Sequence, residues 1–73
     1  MALKEVVAKN LRRARHDKRM TQKELADRAG LSSRYIGAIE RTDVSASVTV
    51  LDQIADALEV EPTELLQRPG RKS

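Results

Sequence analysis

Between residues 21 and 41 the chain reads TQKELADRAGLSSRYIGAIER, and its polar residues are of the kinds that bond anions and flat heteroaromatic edges. Arginine carries a planar fork of N–H donors that fits a phosphate or the paired acceptors of a purine edge. Arg34 and Arg41 supply that fork, Ser32 and Ser33 hydroxyls that donate or accept, and Gln22 an amide that does both. Catalytic chemistry has no comparable set. Glu24, Asp27, Asp52 and Asp56 fall where helix caps and solvated faces belong, and the single histidine, His16, has no evident nucleophile beside it. The chain has no cysteine, so neither a disulfide nor a thiolate metal site is expected. An enzyme is therefore not expected, nor any metal or cofactor.

The elements that position these residues are helices. In the first segment Leu3, Val6, Val7, Leu11 and Ala14 form one apolar stripe at helical spacing, which predicts a helix over about 2–18. Thr21 and Glu24 make a capping box, so a second helix starts at Gln22 and buries Leu25, Ala26 and Ala29. Gly30 can take the left-handed conformation that ends it, near residue 29. Leu31 then plugs the core and Ser32 caps a third helix over about 33–41, with Ile36 and Ile39 facing inward. TDVSAS reads as a loop. Ser47 caps a fourth helix, about 48–58, whose stripe is Val48, Leu51, Ile54, Ala55 and Leu58, and Pro62 suits the first turn of a fifth, about 62–67. Residues 1–67 thus read as one all-α, five-helix domain, and 68–73 as a flexible basic tail.

Charge is split along the chain. Residues 1–41 hold eleven Lys and Arg against five Asp and Glu, whereas residues 42–73 hold three against six. A basic half carrying the helix pair is the footprint of a polyanion binder. With Tyr35 the only aromatic, no platform exists for stacking unpaired bases, which disfavours single-strand recognition. No apolar run approaches the ~20 residues of a membrane span, and the N-terminus is too charged for a signal peptide, so no membrane partner and a cytoplasmic location are expected.

The joint pattern TQKELA, the turn glycine, a buried isoleucine and the closing IER resembles the Xre/Cro-type helix-turn-helix regulators, the phage-repressor DNA-binding domains. The preceding basic helix and the following LDQIADALEVEPTELL extend the likeness over roughly residues 3–67. The chain departs from that pattern in three places: Arg19 and Thr42 stand where relatives often have glycine, and Ala46, Ser47 and Val48 where they often have Pro-Ser-Leu. A left-handed backbone at Arg19 would cost ~1–2 kcal/mol.

The resemblance implies a compact lambda-repressor-like domain that binds double-stranded DNA as a homodimer, with the third helix in the major groove. Its groove-facing residues are then Ser32, Ser33, Arg34, Gly37 and Ala38, with Arg34 the sharpest base reader. Phosphate contacts are expected from Gln22 and the free amides of the second helix, with Thr21, Lys23 and Arg41 as neighbours. Tyr35 either reaches a phosphate through its hydroxyl or covers the helix junction. Likeness to the family's helix-one arginine and helix-three glutamate implies that Arg15 pairs with Glu40 and also leans on the DNA backbone. Arg12 and Arg13 read as solvated charge.

Two-fold pairing would set the recognition helices ~34 Å apart on a roughly palindromic operator. Val44 and Val50 lie off the core stripes, and Pro62, Leu65 and Leu66 crowd the last helix. The pairing surface is expected among these five, with at least one leucine in the core. Repression by steric exclusion is the default expectation. An antitoxin, a restriction–modification controller, or a module that sequesters a protein remain alternatives, and a toxin or RNA polymerase partner is not specified.

Overall fold

Hydroxyl side chains set the starts of three of the five helices in the computed structural model, which describes residues 1–68. The helices are α1 (Leu3–Asp17), α2 (Gln22–Ala29), α3 (Ser33–Glu40), α4 (Val48–Leu58) and α5 (Pro62–Leu66). The Glu24 amide donates to Thr21 Oγ1 at 3.0 Å while the Thr21 amide donates to Glu24 Oε1 at 2.8 Å. Hydrogen bonding to the carboxylate from Thr21, foremost from its amide and then from its side chain, holds the Glu24 carboxyl below its ordinary pKa. Ser32 Oγ accepts from the Tyr35 amide at 3.0 Å, and Ser47 Oγ from the Val50 amide at 3.1 Å.

The four longer helices end in one way. Each is followed by a residue of positive φ, namely Arg19 (57°), Gly30 (73°), Thr42 (65°) and Glu59 (60°). The next amide then reaches back five residues, Met20 to Arg15, Leu31 to Ala26, Asp43 to Ala38 and Val60 to Ala55, all at 2.9–3.0 Å. This wrap satisfies carbonyls that the helix end leaves open. Met20, Leu31 and Val60 also pack on the core, anchoring the turn against the strain. Glycine relieves that strain only at position 30.

α1 packs on α3 and α5, α2 on α3 and α4, and α4 on α5. Leu11, Leu25, Ile36, Ile39, Ile54, Leu58 and Leu65 fill the space between them. The five-helix, all-α architecture is the expected one, with terminal residues moved by one position at several ends. Val48 departs from its expected place in the core stripe: it is 84% exposed, because it is the first residue of α4 and projects past the packed layer. Leu3 is half-exposed for the same reason at the start of α1. Leu65 is corrected as a pairing-surface residue, since it is 1% exposed and belongs to the core. Of the expected tail at 68–73, everything beyond Arg68 lies outside the described residues.

Two side-chain clasps were not foreseen. Asn10, buried on the inner face of α1, donates from Nδ2 to the carbonyls of Leu65 (3.0 Å) and Gln67 (2.7 Å) and so pins the end of α5. Gln53 of α4 donates to the Ala29 carbonyl at 3.2 Å, closing the end of α2.

Asn10→Ala strands two carbonyls and is expected to cost about 1–3 kcal/mol. Hydrogen exchange should show the α5 amides losing protection ahead of the other helices; uniform loss would refute a local clasp. Thr42→Gly removes a β-branched side chain from a left-handed site and should gain about 1 kcal/mol, raising the melting temperature by roughly 4–8 °C. An unchanged or lower melting temperature would show that Thr42 carries no strain.

Candidate nucleic-acid interface

A buried carboxylate organises the surface made by α2 and α3. Glu40 is 3% exposed although it lies in the last turn of α3. Its Oε2 accepts from Arg15 Nε at 2.7 Å, and its Oε1 accepts from Arg15 Nη2 at 3.0 Å and from Gln22 Nε2 at 3.1 Å. Arg15 is thus held side-on and bidentate, the strongest geometry for this pair. Its Nη1 donates to the Met20 carbonyl at 2.9 Å, and its Nη2 lies 3.3 Å from His16 Nε2. With three of its N–H groups on Glu40 and the Met20 carbonyl and its side chain 11% exposed, Arg15 braces α1 to α3.

Arg12, read from sequence as solvated charge, donates from Nη1 to the Glu40 carbonyl at 2.7 Å while remaining exposed. The signal for it lay in its spacing: it stands three residues before Arg15 on one face of α1. A cation there also faces the negative end of α3.

At the start of α2 the Glu24 amide is taken by Thr21 Oγ1 and the Leu25 amide by the Thr21 carbonyl. The amides of Gln22 and Lys23 precede any possible intrahelical partner, so they remain for a ligand. Gln22 is half-buried and oriented by Glu40, whereas Lys23 meets Asp27 only loosely, 3.4 Å away with both side chains exposed.

α3 offers Ser32, Ser33 and Arg34 at its exposed N-terminal end. Ser32 spends its acceptor on the helix cap. Arg34 forms no ion pair among the described residues. Ala38 is half-buried. Tyr35 is half-buried and packs against the core, which favours the junction-covering role of its two expected ones. Gly37, expected among the groove-facing base readers, is instead buried under Gln22 and Arg41. A Cβ on it would lie 3.1 Å from Arg41 Nη1 and 3.4 Å from Gln22 Oε1. Arg41, for its part, is exposed and donates from Nε to Asp43 Oδ2 at 3.0 Å.

Of the expected pairing residues, Val44 and Leu66 line one shallow groove of about 160 Å³ with Leu3, Val7 and Ala46. Val50 and Pro62 are half-buried elsewhere on the surface. Among the described residues no cluster of His, Cys, Asp and Glu has a metal-holding arrangement, and no helix is long and apolar enough to cross a membrane.

Comparison with known proteins matches this geometry to a family. The helix-turn-helix family profile covers residues 11–65. The chain is 36% identical to the control protein C.SmaI of Serratia marcescens over 73 residues, which is 100% of this chain and 87% of that one. Among solved structures, the hypothetical transcription factor NHTF from Neisseria superposes with a TM-score of 0.90 at 35% identity, covering 93% of this chain and 78% of that one. The restriction–modification controller C.AhdI from Aeromonas hydrophila gives a TM-score of 0.82 at 34% identity, over 85% and 94% respectively. An all-α fold with a hydroxyl-capped α2–Gly30–α3 unit, a profile match over most of the chain and relatives above 30% identity agree, and the chain belongs to the Xre/Cro-like helix-turn-helix family of DNA-binding transcriptional regulators.

Proposed function

We propose that the protein regulates transcription by seating α3 in the major groove of an operator, as one half of a homodimer. The observation that carries this is the Glu40 hub, which fixes the start of α2 beside the outward face of α3. Two free amides and the Gln22 side chain then meet a phosphate while Ser33 and Arg34 reach base edges. Arg34 grips guanine O6 and N7 through its fork, and the smaller Ser33 and Ala38 add little discrimination. Lys23, Thr21 and Arg41 supplement the phosphate contacts, which give affinity and register without reading sequence.

Pairing uses the apolar groove where Val44 and Leu66 meet Leu3 and Ala46. Two copies joined there present two recognition helices and so call for a roughly palindromic site. Occupying such a site excludes polymerase, and repression follows from occupancy alone.

A narrower reading is that the protein controls a restriction–modification system. It is favoured by the likeness to the control protein C.SmaI over all 73 residues and by the fold shared with the controller C.AhdI. A methyltransferase or endonuclease gene next to this one, with operator sites upstream of it, would support that role; a toxin gene there would favour an antitoxin.

Selection of binding sites from random duplexes tests the core of the proposal. Arg34→Ala should relax preference at one base pair per half-site, at a cost of about 1–3 kcal/mol on the preferred sequence. An unchanged preferred sequence would remove Arg34 from base reading. Gln22→Ala should instead weaken all sequences alike, and a sequence-dependent loss would show that Gln22 reads bases. Failure of the wild-type protein to shift any duplex at low salt would overturn DNA binding itself.

A further inference from the structure

We propose that Arg41 is a preorganised contact for a DNA phosphate, and that Asp43 is the internal anion which occupies it until the duplex displaces it. This rests on the DNA-binding reading above. Two observations define the arrangement. Gly37 lacks the Cβ that would crowd Arg41 Nη1, so the guanidinium lies down against α3 beside the Gln22 amide. Asp43 Oδ2 then holds Nε at 3.0 Å.

A guanidinium offers two forks: a side-on one through Nε and Nη2, and an end-on one through Nη1 and Nη2. Arg15 shows the first in use on Glu40. In Arg41 the Nε half of the side-on fork is engaged by Asp43 and the Nη1 end of the other is turned onto Gly37. A phosphate that takes the side-on fork must replace the carboxylate. The exchange is feasible because the Arg41 and Asp43 side chains are 63% and 59% exposed, so water stabilises the released carboxylate. Asp43 is also anchored through its own amide, which donates to the Ala38 carbonyl at 2.9 Å and fixes its distance from Arg41. Displacement has the same cost on every sequence. Asp43 therefore lowers affinity overall and leaves base preference untouched.

Two readouts separate this proposal from the reading on which it rests. In the free protein, the Arg41 Nε–H resonance should shift and exchange faster in Asp43→Asn but not in Asp56→Asn, a change of equal charge on α4. A signal indifferent to Asp43→Asn overturns the latch whatever the protein binds. On a fluorescent duplex of arbitrary sequence, Asp43→Asn should bind about two- to five-fold more tightly than wild type, the span an exposed ion pair commands. Asp56→Asn should gain less, and Arg41→Ala combined with Asp43→Asn should lose the gain. Equal gains in the two single Asn variants overturn the proposal. Gly37→Ala should weaken binding several-fold without lowering the melting temperature, and unchanged binding overturns the role of Gly37 as the seat. If wild type and all variants bind no duplex, the DNA-binding reading falls and takes the phosphate contact with it, while the resonance still reports the latch.

Discussion

Burying one carboxylate, Glu40, constrains everything around the helix-turn-helix. A charge removed from water must be compensated by close partners, and Glu40 has three donors on its two oxygens. Those donors come from α1 and α2, so their satisfaction fixes both helices against α3. Truncating one partner of a buried pair costs ~3–5 kcal/mol, about the net stability a core of this size supplies. The hub therefore leaves little room for an alternative arrangement of the three helices. It also carries function, because the bond that satisfies Glu40 Oε1 is the bond that aims Gln22.

What local rules govern was legible in the residues. Thr21, Ser32 and Ser47 each start a helix, Gly30 ends one, and the stripe through Leu51, Ile54, Ala55 and Leu58 is the face that α4 buries. Periodicity failed at first residues: Val48 and Leu3 continue their stripes on paper but extend past the end of the packed layer. It was silent on partners distant in sequence. Asn10 stands on the inner face of α1 between Val7 and Leu11, a polar residue on an apolar stripe, but nothing local says that it meets carbonyls 55 and 57 residues away. Gly37 lies on the face of α3 that the sequence assigns to the groove, and only the fold shows Arg41 and Gln22 closing over it.

The helix ends show how tertiary packing overrides local preference. Arg19, Thr42 and Glu59 each adopt a conformation that costs an L-residue ~1–2 kcal/mol, yet the chain turns there as it does at Gly30. Each turn is compensated by the long backward hydrogen bond, and at Met20 and Val60 also by an apolar side chain set into the core. After Thr42 the residue in that position is Asp43, which has no apolar side chain to bury and reaches Arg41 instead. The turn after α3 is thus the least anchored of the four, and it leads directly into Val44 and the apolar groove.

Charge placement follows from the same topology. α4 packs on α2 and α5 on α1, so the acidic half of the chain lies against helices other than α3, which carries Arg34. Such a polarised molecule is turned by a polyanion so that its basic side leads, and long-range attraction decides orientation before any contact forms. In the proposed mode of binding, the small Gly37 and Ala38 in the middle of α3 leave recognition to its two ends. Arg34 at the N-terminal end is unencumbered, whereas Arg41 at the C-terminal end is tied to a carboxylate. In the proposed mode of binding the two arginines therefore differ: Arg34, free in the first turn of α3, is placed to distinguish base pairs, and Arg41, tied just past its last turn, to set how strongly the helix holds any duplex.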